Sequence, residues 1–144
     1  MIYLASDHTG FEMKVDIAKY LLSRGYKVED FGPGKSETVD YPEYALKVAR
    51  KAASDPNARG ILVSNTGQGM CIAANKVKGA YAAIVFNEQL AEKARQVNNS
   101  NVLCLPSSYI DLELAEDIVS IWLSTSFSGV DHHIRCLKQI REIE

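Results

Sequence analysis

Short apolar segments alternate with helix-like segments along almost the whole chain, and this alternation restricts the fold more than any other feature. Five apolar segments have the length of strands, namely 2–5, 26–31, 60–63, 81–85 and 102–105. Most of the segments between them place apolar residues at helical spacing. Because a helix between two strands of one sheet leaves them parallel, the pattern predicts an α/β fold with an open five-stranded parallel sheet. Helices on both faces would give a three-layer α/β/α arrangement.

The first helix has an apolar face and a clear end signal. Phe11, Val15, Ala18 and Leu22 recur at helical spacing, so we expect these four side chains to be buried against the sheet. Gly25 is the residue type that commonly follows the last turn of a helix. The sequence therefore predicts a helix from about Phe11 to the residues before Gly25.

The later helices show similar signals. Asp40 and Pro42 predict a helix start, since an acidic cap and an early proline favour that position. A stripe of apolar residues marks the helix after the fifth strand: Leu112, Ala115, Ile118, Val119 and Trp122. We expect Trp122 to lie in the core or in an interface. The last helix is expected over about 131–144, where apolar residues recur every third position.

The composition excludes several classes of function. A chain of 144 residues is long enough to bury one core, so we expect a single domain over 1–144. The formal net charge of −2 gives no reason to expect nucleic acid or an anionic membrane as a partner. No segment reaches the apolar length of a membrane span, and the first residues lack the features of a signal peptide.

The cysteines point to a reducing environment. Cys71, Cys104 and Cys136 are widely spaced and include no CxxC pair. That pattern favours neither a disulfide framework nor a zinc site. We therefore expect a cytoplasmic protein.

Two polar, glycine-containing loops follow strands and are the places to look for chemistry. They are SDHTG at 6–10 and SNTGQG at 64–69. In open parallel sheets, ligands bind outside the carboxyl ends of the strands, where the strand order reverses. The second loop allows backbone N–H groups to converge on a phosphate or an oxyanion, although a tight strand-to-helix turn would have the same composition. It is not a GxGxxG motif, which argues against a dinucleotide.

Individual polar residues allow both functional and structural interpretations. Asp7 beside His8 suits binding of sugar hydroxyls or transfer of a proton, whereas Asp7 alone would also serve as a helix cap. Arg135, near His132 at the start of the last helix, would bind a carboxylate or phosphate, unless it is simply a solvated surface charge.

Taken together, four segments resemble one enzyme family over essentially the whole chain. The segments are SDHTGFEMK, DYPEYA, GILVSNTGQGMCIAANKVKGAYAA and NNSNVL, in this order and at these spacings. They resemble the ribose-5-phosphate isomerase B and galactose-6-phosphate isomerase family. The resemblance implies a Rossmann-like fold and a homodimer or larger assembly whose active sites lie between subunits. It also implies interconversion of aldose and ketose phosphates through an enediolate, without a metal or other cofactor, and a last helix that packs on a partner subunit.

The resemblance matches nine residues to family site positions: Asp7, His8, Tyr41, Thr66, Gly67, Gly69, Asn98, His132 and Arg135. The other candidates, among them Ser64 and Cys71, follow from the chemistry of the residues in this chain. Expected catalytic residues are Asp7, Ser64, Thr66 and Cys71. Expected substrate-binding residues are His8, Tyr41, Asn65, Gly67, Gln68, Gly69, Asn98, His132 and Arg135. Asp7 is the leading replacement base, with Cys71 as a second choice. Ser64 and Thr66 would hydrogen-bond substrate oxygens, and the amides of 67–69 would stabilise the enediolate.

Five positions depart from the residues that the family would supply. The family's cysteine base aligns with Ser64, and the glutamate base of a second branch aligns with Met70. The histidine linked to ring opening aligns with Val97, and two phosphate-binding arginines align with Ser108 and Asp131. A divergent isomerase with altered substrate preference is therefore expected. The alternatives are a catalytically impaired paralogue that binds a sugar phosphate or completes a partner's site, and an unrelated activity on the same fold.

Overall fold

The computed structural model describes residues 1–144 and contains five strands and six helices. The strands are β1 Ile2–Ser6, β2 Val28–Asp30, β3 Arg59–Ser64, β4 Ala82–Ile84 and β5 Val102–Pro106. The helices are α1 Phe11–Ser23, α2 Tyr41–Ser54, α3 Gln68–Ala74, α4 Glu88–Gln96, α5 Leu112–Ser124 and α6 Asp131–Ile143. None of these helices combines the length and apolar character that crossing a membrane would require.

The five strands form one parallel sheet in the order β2-β1-β3-β5-β4. The predicted fold class, a Rossmann-like three-layer α/β/α fold, is confirmed. The strand order reverses between β1 and β3, which pair in register from Ile2 with Arg59 to Ser6 with Val63. The loops that leave these two strands therefore begin side by side. The edge strands β2 and β4 have three residues each and are shorter than predicted.

Two apolar cores lie on the two faces of the sheet. Because side chains alternate along a strand, Ile61 and Val63 of β3 contact one core while Leu62 contacts the other. Helices α1, α4 and α5 cover the first core, and α2 and α3 cover the second. β3 is apolar and buried on both faces, and it lies in the middle of the sheet, so the loop after it also begins there.

The predicted apolar face of α1 is wrong by one position. Leu22 is 58% exposed, whereas Lys14, Ile17 and Leu21 are fully buried. Phe11, Val15 and Ala18 are only partly buried. The apolar pattern misses the true face because that face includes a lysine. The predicted helix end is correct, since α1 finishes at Ser23 and Gly25 has a φ of +85°.

Lys14 is buried because two groups, one at the end of β2 and one just after it, satisfy its ammonium. Nζ donates hydrogen bonds to Oδ1 of Asp30 at 2.9 Å and to the carbonyl oxygen of Pro33 at 2.7 Å. The same Asp30 oxygen accepts the N–H of Gly32 at 2.8 Å. Lys14 therefore fixes the start of the segment 32–40, which leads into α2.

Replacing Lys14 with methionine is expected to lower the free energy of unfolding by about 1–3 kcal/mol. The methionine keeps most of the apolar stem but leaves Asp30 and the Pro33 carbonyl without their donor. Urea unfolding would measure the change, with Lys19→Met, an exposed lysine on the same helix, as the matched control. Equal unfolding midpoints for the two variants would contradict the role given to Lys14.

The last two helices differ in how completely their apolar side chains are buried within one chain. On α5, Trp122 is fully buried, and its indole N–H donates to Oγ of Ser100 at 2.9 Å, so it is a core residue. On α6, Leu137 is buried but Ile134 and Ile140 are 48% and 43% exposed. The apolar stripe of α6 is thus only partly covered within one chain.

Candidate active site

One carboxylate joins the loops that follow β1 and β3. Oδ1 of Asp7 accepts the N–H of Gly10 at 2.7 Å, and Oδ2 accepts the N–H of Asn65 at 3.2 Å. Gly10 also approaches the end of β3 so closely that a Cβ there would overlap the carbonyl of Val63. Asp7 is not the helix cap that the structural interpretation expected, since Gly10 is the N-cap of α1 and no side chain caps it. Its carboxylate instead ties the two loops together at the point where the strand order reverses.

A pocket of about 320 Å³ opens beside this carboxylate. Three chain segments form it: the loop after β1, the loop after β3 with the first turn of α3, and the residues around the start of α2. It is lined by Asp7, His8, Thr9, Thr38, Val39, Tyr41, Ser64, Asn65, Thr66, Gly69 and Met70. Hydroxyl, amide, imidazole and carboxylate groups predominate, and no lysine or arginine reaches it. Such a lining suits a small polyhydroxylated molecule better than an apolar one.

The pocket brings together more than half of the predicted site residues. Seven of them line it: Asp7, His8, Tyr41, Ser64, Asn65, Thr66 and Gly69. The residues that the sequence interpretation missed are Thr9, Thr38, Val39 and, as a site residue, Met70. Thr9 lies inside the SDHTG loop and had a signal, but Thr38 and Val39 belong to a segment with no feature beyond its loop composition.

The turn between β3 and α3 leaves two backbone donors free at the pocket. Gly67 adopts a φ of +76°, which favours glycine, and the chain then enters α3. The N–H of Gln68 is donated to Oγ1 of Thr66 at 3.3 Å. The N–H groups of Gly69 and Met70 have no partner within the chain, as expected in the first turn of a helix.

Gly67 and Gln68, which were expected to bind substrate, do not line the pocket. Gly67 is buried under the turn, where a Cβ would approach the backbone of Leu105 and Pro106. Gln68 is exposed and faces a separate cavity of about 600 Å³, which Phe86 and Tyr109 also line. The reason is the tight turn, which directs successive residues to different sides of α3.

Cys71 also points away from the pocket. Its side chain is 8% exposed, and Sγ donates to the carbonyl of Ala82 at 3.5 Å. A hydrogen bond with Cys104 lowers the pKa of Cys71, and burial raises the pKa of Cys104 well above its usual range. The structure does not bring Cys71 to the place where substrate would lie, because α3 turns this side chain toward β4.

Asn98, His132 and Arg135 do not line this pocket. All three are exposed. The N–H of Ser128 donates to the carbonyl of Gln96 at 3.0 Å, which holds the chain before α6 against the end of α4. Nη2 of Arg135 donates to Nδ1 of His132 at 3.0 Å. Within one chain, these three predicted binding residues are not part of the site around Asp7.

Comparison with known proteins agrees with this geometry. A family model described as Ribose/Galactose Isomerase matches residues 2–140. Ribose-5-phosphate isomerase B of Escherichia coli is 41% identical over 134 residues, which cover 93% of this chain and 90% of that protein.

Solved structures are similar over the whole fold. A ribose 5-phosphate isomerase of Thermotoga maritima is 45% identical, with a TM-score of 0.94 and coverage of 98% of this chain and 97% of that one. Ribose-5-phosphate isomerase B of Mycoplasma genitalium, solved with bound ribulose-5-phosphate, has a TM-score of 0.95 at 40% identity and covers 99% of this chain and 94% of that one. With the matched family model and these relatives, the chain belongs to the ribose/galactose isomerase family.

Proposed function

We propose that this protein is an aldose–ketose isomerase that acts on a sugar phosphate. The observation that carries the proposal is the polar pocket beside Asp7, at the point where strand order reverses. Relatives named ribose-5-phosphate isomerase B, one of them solved with ribulose-5-phosphate, support a pentose phosphate as the type of substrate. The proposed reaction moves a carbonyl group between two neighbouring carbon atoms of an open-chain sugar.

The pocket residues have groups suited to each step. Asp7 would take the proton from the carbon beside the carbonyl, and the electron pair of that C–H bond would form the enediolate. A proton then passes from the hydroxyl group of the carbon that lost its hydrogen to the former carbonyl oxygen. Return of the proton held by Asp7 to the neighbouring carbon completes the isomerisation. The free N–H groups of Gly69 and Met70 would stabilise the negative oxygen of the enediolate. Ser64 and Thr66 would hydrogen-bond substrate oxygens.

A second copy of the chain would complete the site. A phosphate group needs cationic or N–H donors, and the pocket has no lysine or arginine of its own. His132 and Arg135 are exposed at the start of α6, and Ile134 and Ile140 leave an apolar stripe beside them. Covering that stripe with a partner subunit would stabilise a dimer. We propose a homodimer in which Arg135, with His132 and Asn98, reaches the partner's pocket.

Mixing two inactive variants tests whether the site is shared. Asp7→Asn and Arg135→Gln are each expected to lose most of their turnover. Refolding the two together forms hybrid dimers in which one of two sites carries both changes and the other carries neither, so the mixture should recover about a quarter of the wild-type rate. Asp7→Asn mixed with Asp7→Asn, Lys138→Gln is the matched control. No recovery in the mixed dimers would contradict a site built from two chains.

The substrate preference is expected to differ from that of ribose-5-phosphate isomerases. Ser108 and Asp131 stand at positions where the family resemblance implies phosphate-binding arginines. Losing two such hydrogen bonds would weaken phosphate binding by about 10²–10⁴-fold. Turnover measured on tetrose, pentose and hexose phosphates and on the free sugars would identify the preferred substrate. Activity on ribose 5-phosphate that equals or exceeds the activity on every other sugar tested would contradict the altered preference.

A second candidate function is a sugar-phosphate-binding protein or a partner subunit without activity of its own. The lining of the pocket, which includes neither a cysteine nor a glutamate, favours this alternative. Its signature would be tight binding of ribulose 5-phosphate with no turnover of any sugar in the panel.

The three free cysteines fit a reducing compartment for either function, and we propose a cytoplasmic location on that ground.

A further inference from the structure

A cavity of about 530 Å³ lies at the opposite end of the sheet from the candidate active site. It opens at the amino ends of β3, β4 and β5, where Arg59, Tyr81 and Asn101 begin or precede the strands. Its volume is in the range of small-molecule sites. Four cationic side chains line it: Arg59, Lys78, Arg95 and Arg141. The cavity is therefore strongly positive in a protein whose formal net charge is −2.

Arg95 is a buried guanidinium without a carboxylate partner. Arg95 is 5% exposed, and no carboxylate oxygen lies within ion-pair distance of its guanidinium group. Nε donates to the carbonyl of Thr125 at 3.4 Å, and Nη1 donates to the carbonyl of Ser100. Nη2 has no hydrogen-bond partner in the chain and is not sealed off from solvent. A buried cation in this state would gain from a bound anion.

Arg59 adds a second positive charge beside Arg95. Burial, followed by the charge of Arg59, lowers the pKa of Arg95 to about 10, which still leaves it protonated at neutral pH. Nη1 of Arg59 donates to the carbonyls of Pro56 and Ala58 at 2.9 and 2.8 Å, and its Nη2 makes no hydrogen bond. Two guanidinium groups, each with an Nη2 that has no partner in the chain, therefore line one cavity, and a bound anion would offset the repulsion between their like charges.

The side-chain carboxylate of Glu144 in the cavity accepts hydrogen bonds from two neutral groups that also line the cavity. Oε1 of Glu144 accepts the hydroxyl of Tyr81 at 2.7 Å, and Oε2 accepts the N–H of Gly79 at 3.1 Å. Neither oxygen forms an ion pair with an arginine or lysine. Among the residues that line the cavity, four positive side chains thus face one negative side chain, and the charge of Asp55 also acts on Arg59.

We propose that this cavity is a second binding site, separate from the pocket beside Asp7, for a phosphorylated small molecule. Guanidinium groups match the paired oxygens of a phosphate, and Arg59 and Arg95 each have a free N–H group for it. Lys78 and Arg141 are exposed and add positive charge at the mouth. Ala52, Ala53 and Pro56 form an apolar wall for the rest of the molecule. The proposal does not depend on the isomerase activity.

Titration with inorganic phosphate, followed by ¹H–¹⁵N spectra of the full chain, tests the site. The amides of Lys78, Gly79, Asn99 and Asn101 should shift together, with a Kd of about 1 mM or tighter. Pyrophosphate, which offers more oxygens, should bind more tightly. Amides of 65–69 report separately on the pocket beside Asp7, so binding there follows its own curve.

Variants at the cavity separate specific binding from surface charge. Arg59→Gln and Arg141→Gln are each expected to weaken phosphate binding at the cavity by roughly 10- to 100-fold. They are chosen over a change at Arg95, whose burial makes a folding defect the expected result. Lys138→Gln, an exposed residue of α6 outside the cavity, is the matched control and should bind as wild type. Shifts confined to 65–69, or equal binding by all three variants, would overturn the proposal.

Discussion

Asp7→Asn is expected to lower the turnover of a sugar phosphate by about 10²–10⁴-fold, the usual contribution of a general base. Asp7 is the one carboxylate that lines the pocket, so no second acidic side chain stands ready to replace it. The expected loss falls on kcat, because the amide still fills the same volume. Steady-state isomerisation assays, together with exchange of the substrate's carbon-bound hydrogen for deuterium, would measure the proton-transfer step itself.

The same substitution also disturbs a structural contact, and a second measurement separates the two effects. Oδ2 of Asp7 accepts the N–H of Asn65, and an amide nitrogen at that position would oppose another donor. Calorimetric binding of ribulose 5-phosphate shows whether the pocket survives. Asp40→Asn is the matched control, since Asp40 precedes α2 near the pocket and makes no capping hydrogen bond with its side chain. Turnover within threefold of wild type in Asp7→Asn would exclude Asp7 as the base.

Ser64→Cys is expected to raise turnover, because it adds a thiol as a second general base beside Asp7. Ser64 lines the pocket and is 7% exposed, and its position corresponds to the cysteine that the family resemblance implies. A thiol loses its proton several pH units below a serine hydroxyl, and the free amides at the start of α3 would favour the thiolate. Measuring kcat/KM on ribose 5-phosphate across pH would show a new rise at the pKa of the thiol.

Two further variants make this prediction specific. Ser64→Ala removes the hydroxyl without adding a base, so it should not gain activity. The double variant Asp7→Asn, Ser64→Cys should keep more activity than Asp7→Asn alone if the thiol takes over the proton transfer. An unchanged rate in a correctly folded Ser64→Cys protein would mean that this side chain does not reach the reacting carbon.

The order of strands and helices could be predicted because it depends on local patterns. Apolar strand segments and helix end signals lie within a few residues of one another, and all eleven elements follow from them with small errors at their ends. The face of α1 could not be predicted in that way. Lys14 is buried through contacts with Asp30 and Pro33, which are 16 and 19 residues away in the chain. Because lysine counts as a polar residue in the periodicity pattern, the pattern indicates a different buried face for α1.

The site was predictable where it depends on the sheet alone. Loops after adjacent parallel strands meet at one edge, so Asp7 and Thr66 could be expected to lie in one pocket. Thr38 and Val39 enter the pocket because Lys14 fixes the start of their segment, which no short pattern reveals. Arg135 is exposed on α6 and does not line the pocket of its own chain, so its role depends on a partner subunit that a single chain does not contain.

The contact between Gly10 and the end of β3 has a consequence for engineering this protein. Since any Cβ at position 10 would overlap the Val63 carbonyl, a saturation library at that codon should contain essentially no folded member besides the parent. Thr9 and Thr38 are exposed, line the pocket beside Asp7 and have no such steric constraint. Laboratory evolution toward a new sugar would therefore make the best use of its screening capacity by randomising those two codons and leaving the glycine fixed.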